Sequence, residues 1–140
     1  IVFKLFKPFL EKLGEFTVST HVKRSLKDPE LHSAEDLTLP DGAGATTQID
    51  HLLLSPYGIF VIETKNYKGW IFASARQKQW TQKIYKNSYT FQNPIHQNYK
   101  HIKVLEQLLT DIVEPDLLHS VIVFMPDAVF KTPMPNEDRS

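Results

Sequence analysis

Two apolar runs, TQIDHLLLS at 47–55 and GIFVIETK at 58–65, are joined only by Pro56 and Tyr57. This pairing constrains the fold more than any other feature of the chain. Both runs are rich in Ile, Leu, Val and Phe, with apolar residues at odd and even positions alike, the pattern of central strands covered on both faces. Ser-Pro-Tyr-Gly between them is a tight-turn signal, so the runs are predicted to pair antiparallel. With Ser55 opposite Gly58, Leu54 faces Ile59, Leu52 faces Val61 and Asp50 faces Glu63. Strand alternation then brings Asp50, Glu63 and Lys65 to one face.

Two carboxylates directly opposed repel, and charge beside buried segments is costly unless it is paired, hydrogen-bonded or bound to a metal. A divalent cation between Asp50 and Glu63 removes the conflict. Mg²⁺ takes oxygen ligands, one or two carboxylates with waters and substrate phosphates completing its shell. Lys65 on the same face would orient a water or offset charge developing on phosphate. In this register the cluster has the make-up of a hydrolytic phosphodiester site. The competing interpretation is a pair of solvated strand ends with Lys65 in an ordinary salt bridge, and a bare Glu-x-Lys triplet does not choose between them. The choice rests on the register, because a one-residue slip turns the residues to opposite faces.

The remaining pattern gives an α/β or α+β order of elements. Residues 8–27 carry helical spacing interrupted near Gly14, and LKDPELHSAED reads as a loop broken by Pro29. DLTLP at 36–40 is a short strand and DGAGATT a turn-rich link. KGWIFAS at 68–74 and QWTQKIY at 79–85 are two further strands. Pro94 opens a helix expected over 94–113, with Ile95, Tyr99, Ile102, Leu105 and Leu109 along one stripe. SVIVFM at 120–125 is a last strand. Gln97 and His101 share a helix face at four-residue spacing, His101 being placed either to contact phosphate or to cap a polar patch. His51 turns away from Asp50 and is set aside as a ligand, and no Walker, HExxH or H-x-E pattern is present.

Sixteen basic and sixteen acidic residues give a formal net charge of zero, so nucleic-acid binding requires a local patch. Such a patch is available in Lys65, Lys68, Arg76, Lys78, Lys83, Lys86, Lys100 and Lys103, interleaved with Tyr67, Trp70, Trp80, Tyr85 and Tyr89. Surface lysines over core aromatics would give the same pattern, and both tryptophans are expected in the core. The absence of cysteine excludes disulfides and thiolate ligands. No apolar stretch approaches the roughly 18 residues of a membrane span. The first residue is Ile1, and both ends look like cuts in a longer protein. A cytoplasmic location is expected, with tethering through a segment preceding the apolar-basic IVFKLFKPFL left open.

Asp50 followed by Glu63-Thr64-Lys65 resembles the D…(D/E)xK signature of restriction-endonuclease-like nucleases. More specifically, GE at 14–15, TLPDG at 38–42, TQIDHLLLS, YGIFVIETKNYKGWI, QKQWTQ and FQNPIHQNYKHIKVL resemble the nuclease-related (NERD) domain family. Ile49 stands where the broader signature often has proline. The resemblance implies a restriction-endonuclease-like core, a central mixed β-sheet flanked by helices, over residues 14–125. Residues 1–13 would lead into it, and 126–140 would form a tail or begin the next segment. It implies Asp50, Glu63 and the Thr64 carbonyl as ligands of Mg²⁺ or Mn²⁺ and Lys65 as the residue assisting the attacking water. Glu15 from the first helix and Gln97 from the crossing helix would complete the catalytic set. DNA is the implied substrate, without a small-molecule cofactor, and a homo-oligomer is compatible. The alternative function is a non-catalytic nucleic-acid or protein interaction module that retains the fold.

Overall fold

The computed structural model describes residues 2–4 and 32–135. The expected helix over 8–27, with Glu15, lies outside the described residues. The strands are β1 (Val2–Lys4), β2 (His32–Pro40), β3 (Thr46–Ser55), β4 (Gly58–Lys65), β5 (Gly69–Phe72), β6 (Gln79–Ile84), β7 (Asn87–Gln92), β8 (Leu118–Phe124) and β9 (Ala128–Phe130), with helix α1 (Pro94–Leu108) between β7 and β8. They form two sheets, ordered β1-β8-β4-β3-β2 and β7-β6-β5-β9. The first is mixed: β4 runs antiparallel to β3 and parallel to β8. The mixed five-stranded sheet and α1 agree with the expected α/β class, and the described residues add a second sheet of four strands.

The β3–β4 hairpin has the predicted register, from Ser55↔Gly58 to His51↔Ile62. Its turn is built by Ser55, whose Oγ accepts from Tyr57 N and donates to Gly58 O. Gly58 has φ +130°, and a Cβ there would collide with the Leu117 carbonyl, so only glycine fits. β4 is the middle strand of the five, which accounts for its apolarity on both faces.

Edge strands are where the pattern misleads. β2 starts at His32, inside the predicted loop, because its polar HSAE segment pairs along β3 at the sheet margin. β7, NSYTFQ, buries only Phe91, yet it closes the edge of the second sheet against β6. Polar edges of this kind discourage further strand pairing. Residues 128–130, in the stretch expected to form a tail or begin the next segment, pair parallel with β5.

Helix α1 starts where Asn93 caps it. The Asn93 side chain accepts from Ile95 N at 2.9 Å, and its Nδ2 donates to the carbonyls of Ser74, Ala75 and Gln77. The helix ends at Leu108 rather than 113. Thr110 Oγ1 donates to the carbonyls of Glu106 and Gln107, taking over acceptors that continued helix would have used. Asn98 Nδ2 fastens the helix to the sheet by donating to Val61 O on β4 and Ser120 Oγ on β8.

The apolar interior forms two clusters. One joins Ile49 and Val61 to Ile102 and Leu105 in the later turns of α1. The other gathers Ile71, Trp80, Phe91, Ile122 and Phe124 around Ile95 at the start of α1. Each fully buried aliphatic or aromatic side chain here contributes about 1.5–3 kcal/mol relative to exposure. Between the clusters, α1 presents Gln97, Asn98 and His101 to the first sheet.

Candidate active site

Glu63 is only 3% exposed, on the central strand of a sheet. A carboxylate so placed must be compensated. Lys65, two residues on and therefore on the same face, donates from Nζ to Glu63 Oε1 at 2.7 Å. The same ammonium donates to Gln97 Oε1 at 2.9 Å, tying β4 to α1. One turn further along α1, His101 Nε2 lies 3.5 Å from Glu63 Oε2. That distance is long for a hydrogen bond, and Nε2 makes none. The other ring nitrogen, Nδ1, is 2.7 Å from Thr47 Oγ1 on β3. Burial pushes the Glu63 carboxyl up, but His101 and Lys65 together outweigh it and hold the group below its ordinary value. Lys65, at 2.7 Å, is the firmer of the two partners.

Asp50 joins this group by a route the register alone does not give. The β3–β4 ladder stops at His51↔Ile62, so Asp50 and Glu63 are not a ladder pair. Instead Asp50 Oδ2 accepts from Thr64 N at 3.2 Å, and a carboxylate replaces the next rung. The cause is local. Ile49 and Leu52 both pack on the Ile102–Leu105 cluster although they lie three apart in a strand, so alternation breaks between them, at Asp50–His51. β2 is irregular at the same height, where Asp36, at φ 50°, falls between the pairs Glu35↔His51 and Leu37↔Ile49.

Backbone direction places Thr64. Lys65 O accepts from Met125 N beyond the end of β8, while Thr64 N points to the opposite side, towards Asp50. N–H and C=O of one strand residue face the same neighbour, so the Thr64 carbonyl also lies on the Asp50 side. Asp50, the Thr64 carbonyl and Glu63 thus offer hard oxygen donors along one short stretch of β4 and its neighbour. Among the described residues no three His, Asp or Glu side chains cluster as a metal cage. Two carboxylates and a carbonyl nonetheless suit Mg²⁺, which keeps several waters.

Of the residues singled out from sequence, Glu63, Lys65 and Gln97 meet directly. Asp50 adjoins them through the Thr64 amide, and Glu15 lies outside the described residues. His101, expected from sequence to contact phosphate or cap a polar patch, instead flanks Glu63, and Thr47 behind it carries no sequence signal. The helical spacing of Gln97 and His101 was the available signal. Trp80 is buried as expected, whereas Trp70 is 47% exposed and is not core.

The fold and this centre describe an α/β domain with a buried carboxylate, a lysine bonded to it and a second acid alongside. The chain belongs to the nuclease-related domain family, whose pattern it matches over residues 10–125. It is also 48% identical over 91 residues to an uncharacterized protein of Bacillus anthracis, a match covering 63% of this chain and 43% of that protein. The chain therefore spans under half the length of this curated relative. No solved structure matches it. No helix among the described residues is long and apolar enough to cross a membrane.

Proposed function

We propose that this chain is a restriction-endonuclease-like nuclease that hydrolyses DNA phosphodiester bonds with Mg²⁺ or Mn²⁺. The observation carrying the reading is Glu63, a buried carboxylate that His101 and Lys65 hold below its ordinary value, with Gln97 steadying that lysine from the crossing helix. A strongly compensated carboxylate beside a second acid is an arrangement characteristic of functional sites.

Asp50, Glu63 and the Thr64 carbonyl would hold the metal, which when bound polarises a phosphoryl oxygen and lowers the pKa of a bound water. The remaining work falls to side chains. An ammonium has three donors, and Lys65 uses two of them on Glu63 and Gln97 among the described residues. Among the described residues no group takes the third, which would serve an attacking water or a phosphate oxygen. Gln97 fixes the direction of Lys65, and His101, set by Thr47, limits how far Glu63 swings. Glu15 is the further acid that the family resemblance adds.

One observation favours the interaction-module reading. Glu63 already faces Lys65 and His101, so its charge is balanced without any metal. The deciding assay compares wild type, Lys65→Ala and Asp50→Ala on linear and supercoiled DNA, with Mg²⁺ or Mn²⁺ and with EDTA. Metal-dependent cutting by wild type alone supports the nuclease. Equal residual nicking in all three marks a contaminant and leaves the module.

A further inference from the structure

From Thr64 to Leu105 the chain contains eight Lys or Arg and no Asp or Glu. β5, β6 and β7 lie wholly within this stretch. Their sheet has one face against the core and one turned outward. Ile71 and Ala73 are buried, so Trp70 and Phe72, which alternate with them, look outward, and both are exposed. Register carries Lys83 and Val129 to either side of Trp70, and Thr81 beside Phe72. Thr90 and Ser88 on β7 continue the rows of Thr81 and Lys83. The outward face therefore sets an indole, Phe72 and Val129 beside Lys83 and a row of hydroxyls.

Three further features concentrate at one end of this face. Lys131 Nζ lies 4.4 Å from the centre of the Trp70 ring. A depression of about 520 Å³ is lined by Lys68, Gly69, Trp70, Lys83, Ile84 and Tyr85, within the roughly 300–1,000 Å³ of sites that hold small organic groups. Tyr85, at the tip of the β6–β7 hairpin, is 94% exposed with φ +53°, a conformation in which Gly, Asn or Asp is usual. An aromatic residue held in a disfavoured backbone state, with its ring in solvent, gains nothing from packing there.

We propose that the outward face of the β7-β6-β5-β9 sheet binds single-stranded DNA, with Trp70 and Tyr85 stacking on bases and Lys68, Lys83 and Lys131 meeting phosphates. Charge selects a polyanion. Exposed rings select one whose bases are not already stacked on each other. Thr81, Ser88 and Thr90 hydroxyls suit sugars and base edges and do not suit acyl chains, which argues against an anionic membrane. The choice of DNA over RNA rests on the nuclease reading above; the stacking and the charge do not.

The chain supplies its own probe. Its two tryptophans are Trp70 and the fully buried Trp80, so quenching by a stacked base reports Trp70. The 140-residue chain in EDTA is titrated with oligo-dT, reading emission and the anisotropy of labelled oligonucleotide. The expected result is quenching, with Trp70→Ala weakening binding roughly tenfold and Trp70→Phe less. Lys83→Ala and Lys131→Ala should each lower the logarithmic salt slope by about 0.7. Unchanged thermal melting and Trp80 emission show that the variants are folded. Absence of quenching, binding indifferent to Trp70 and both lysines, or tighter binding to duplex, RNA or phosphatidylserine vesicles would overturn the proposal. Trp70-dependent binding by a chain that never cuts DNA with Mg²⁺ would support it and sink only the nuclease reading.

Discussion

The amide of Thr64 donates to Asp50 Oδ2 at the point where the β3–β4 ladder ends. One carboxylate thus completes a sheet and flanks the Glu63 centre. Asp50→Ala should leave that amide without its acceptor, at a cost of about 1–3 kcal/mol, and abolish Mn²⁺ binding. Asp50→Asn keeps an acceptor oxygen, so it should recover most of the stability and little of the metal affinity. Urea denaturation with Mn²⁺ titration calorimetry separates the two effects. Equal stability of the two variants would show that the amide bond contributes nothing.

Lys65→Ala should separate metal binding from chemistry. It removes a cation that competes for Glu63, so Mn²⁺ affinity is expected to stay level or rise, while DNA cleavage is lost. Without metal the variant should be destabilised by up to roughly 3–5 kcal/mol, the cost of leaving a buried charge unpaired. Added Mn²⁺ should restore part of the lost melting temperature. A Lys65→Ala protein that still cuts DNA at the wild-type rate would refute the assignment.

Acid should loosen the domain through Glu63. Its folded-state value is depressed, so the stabilisation it brings is complete above the ordinary carboxylate range and disappears as pH falls through the depressed value. Urea melts from about pH 7 to pH 3 should show unfolding free energy falling below roughly pH 4–5. Glu63→Gln should have a shallower acid limb than wild type. Parallel acid limbs would assign the pH dependence to other carboxylates.

Thr47→Val tests the support behind His101. The change is close to isosteric and removes the hydroxyl 2.7 Å from Nδ1. A buried ring nitrogen left without its partner costs about 1–3 kcal/mol. Release of the ring from its orientation should also let the Glu63 carboxyl rise towards its ordinary value. NMR titration of that carboxyl in wild type and Thr47→Val checks the second effect independently of stability.

The β3–β4 hairpin was legible because two-sided apolarity, a Ser-Pro-Tyr-Gly turn and side-chain alternation all specify one register. The meeting of Lys65 with Gln97 was legible only through family resemblance, since no local pattern fixes where α1 crosses β4. The position of Asp50 was not legible. Extending the register predicts a face-to-face carboxylate pair, but alternation breaks at Asp50–His51, a consequence of both Ile49 and Leu52 packing beneath α1. β7 escaped because an exposed edge strand buries little, here Phe91 alone, and so carries too short an apolar pattern to read. Trp70 was misassigned for a related reason: an aromatic in a strand implies core only when its face is covered.

Asn98 reaches from α1 to the Val61 carbonyl and the Ser120 hydroxyl, and its neighbours on the helix are the residues that steady Lys65 and flank Glu63. The helix is thus at once the clasp of β4 to β8 and the jig that sets the site. Heat cannot slacken one without the other. A mutation that erodes the clasp, Asn98→Ala among them, should therefore shorten the working lifetime of the site and of the fold by the same factor, with no window of temperature in which a folded domain carries a disarranged centre.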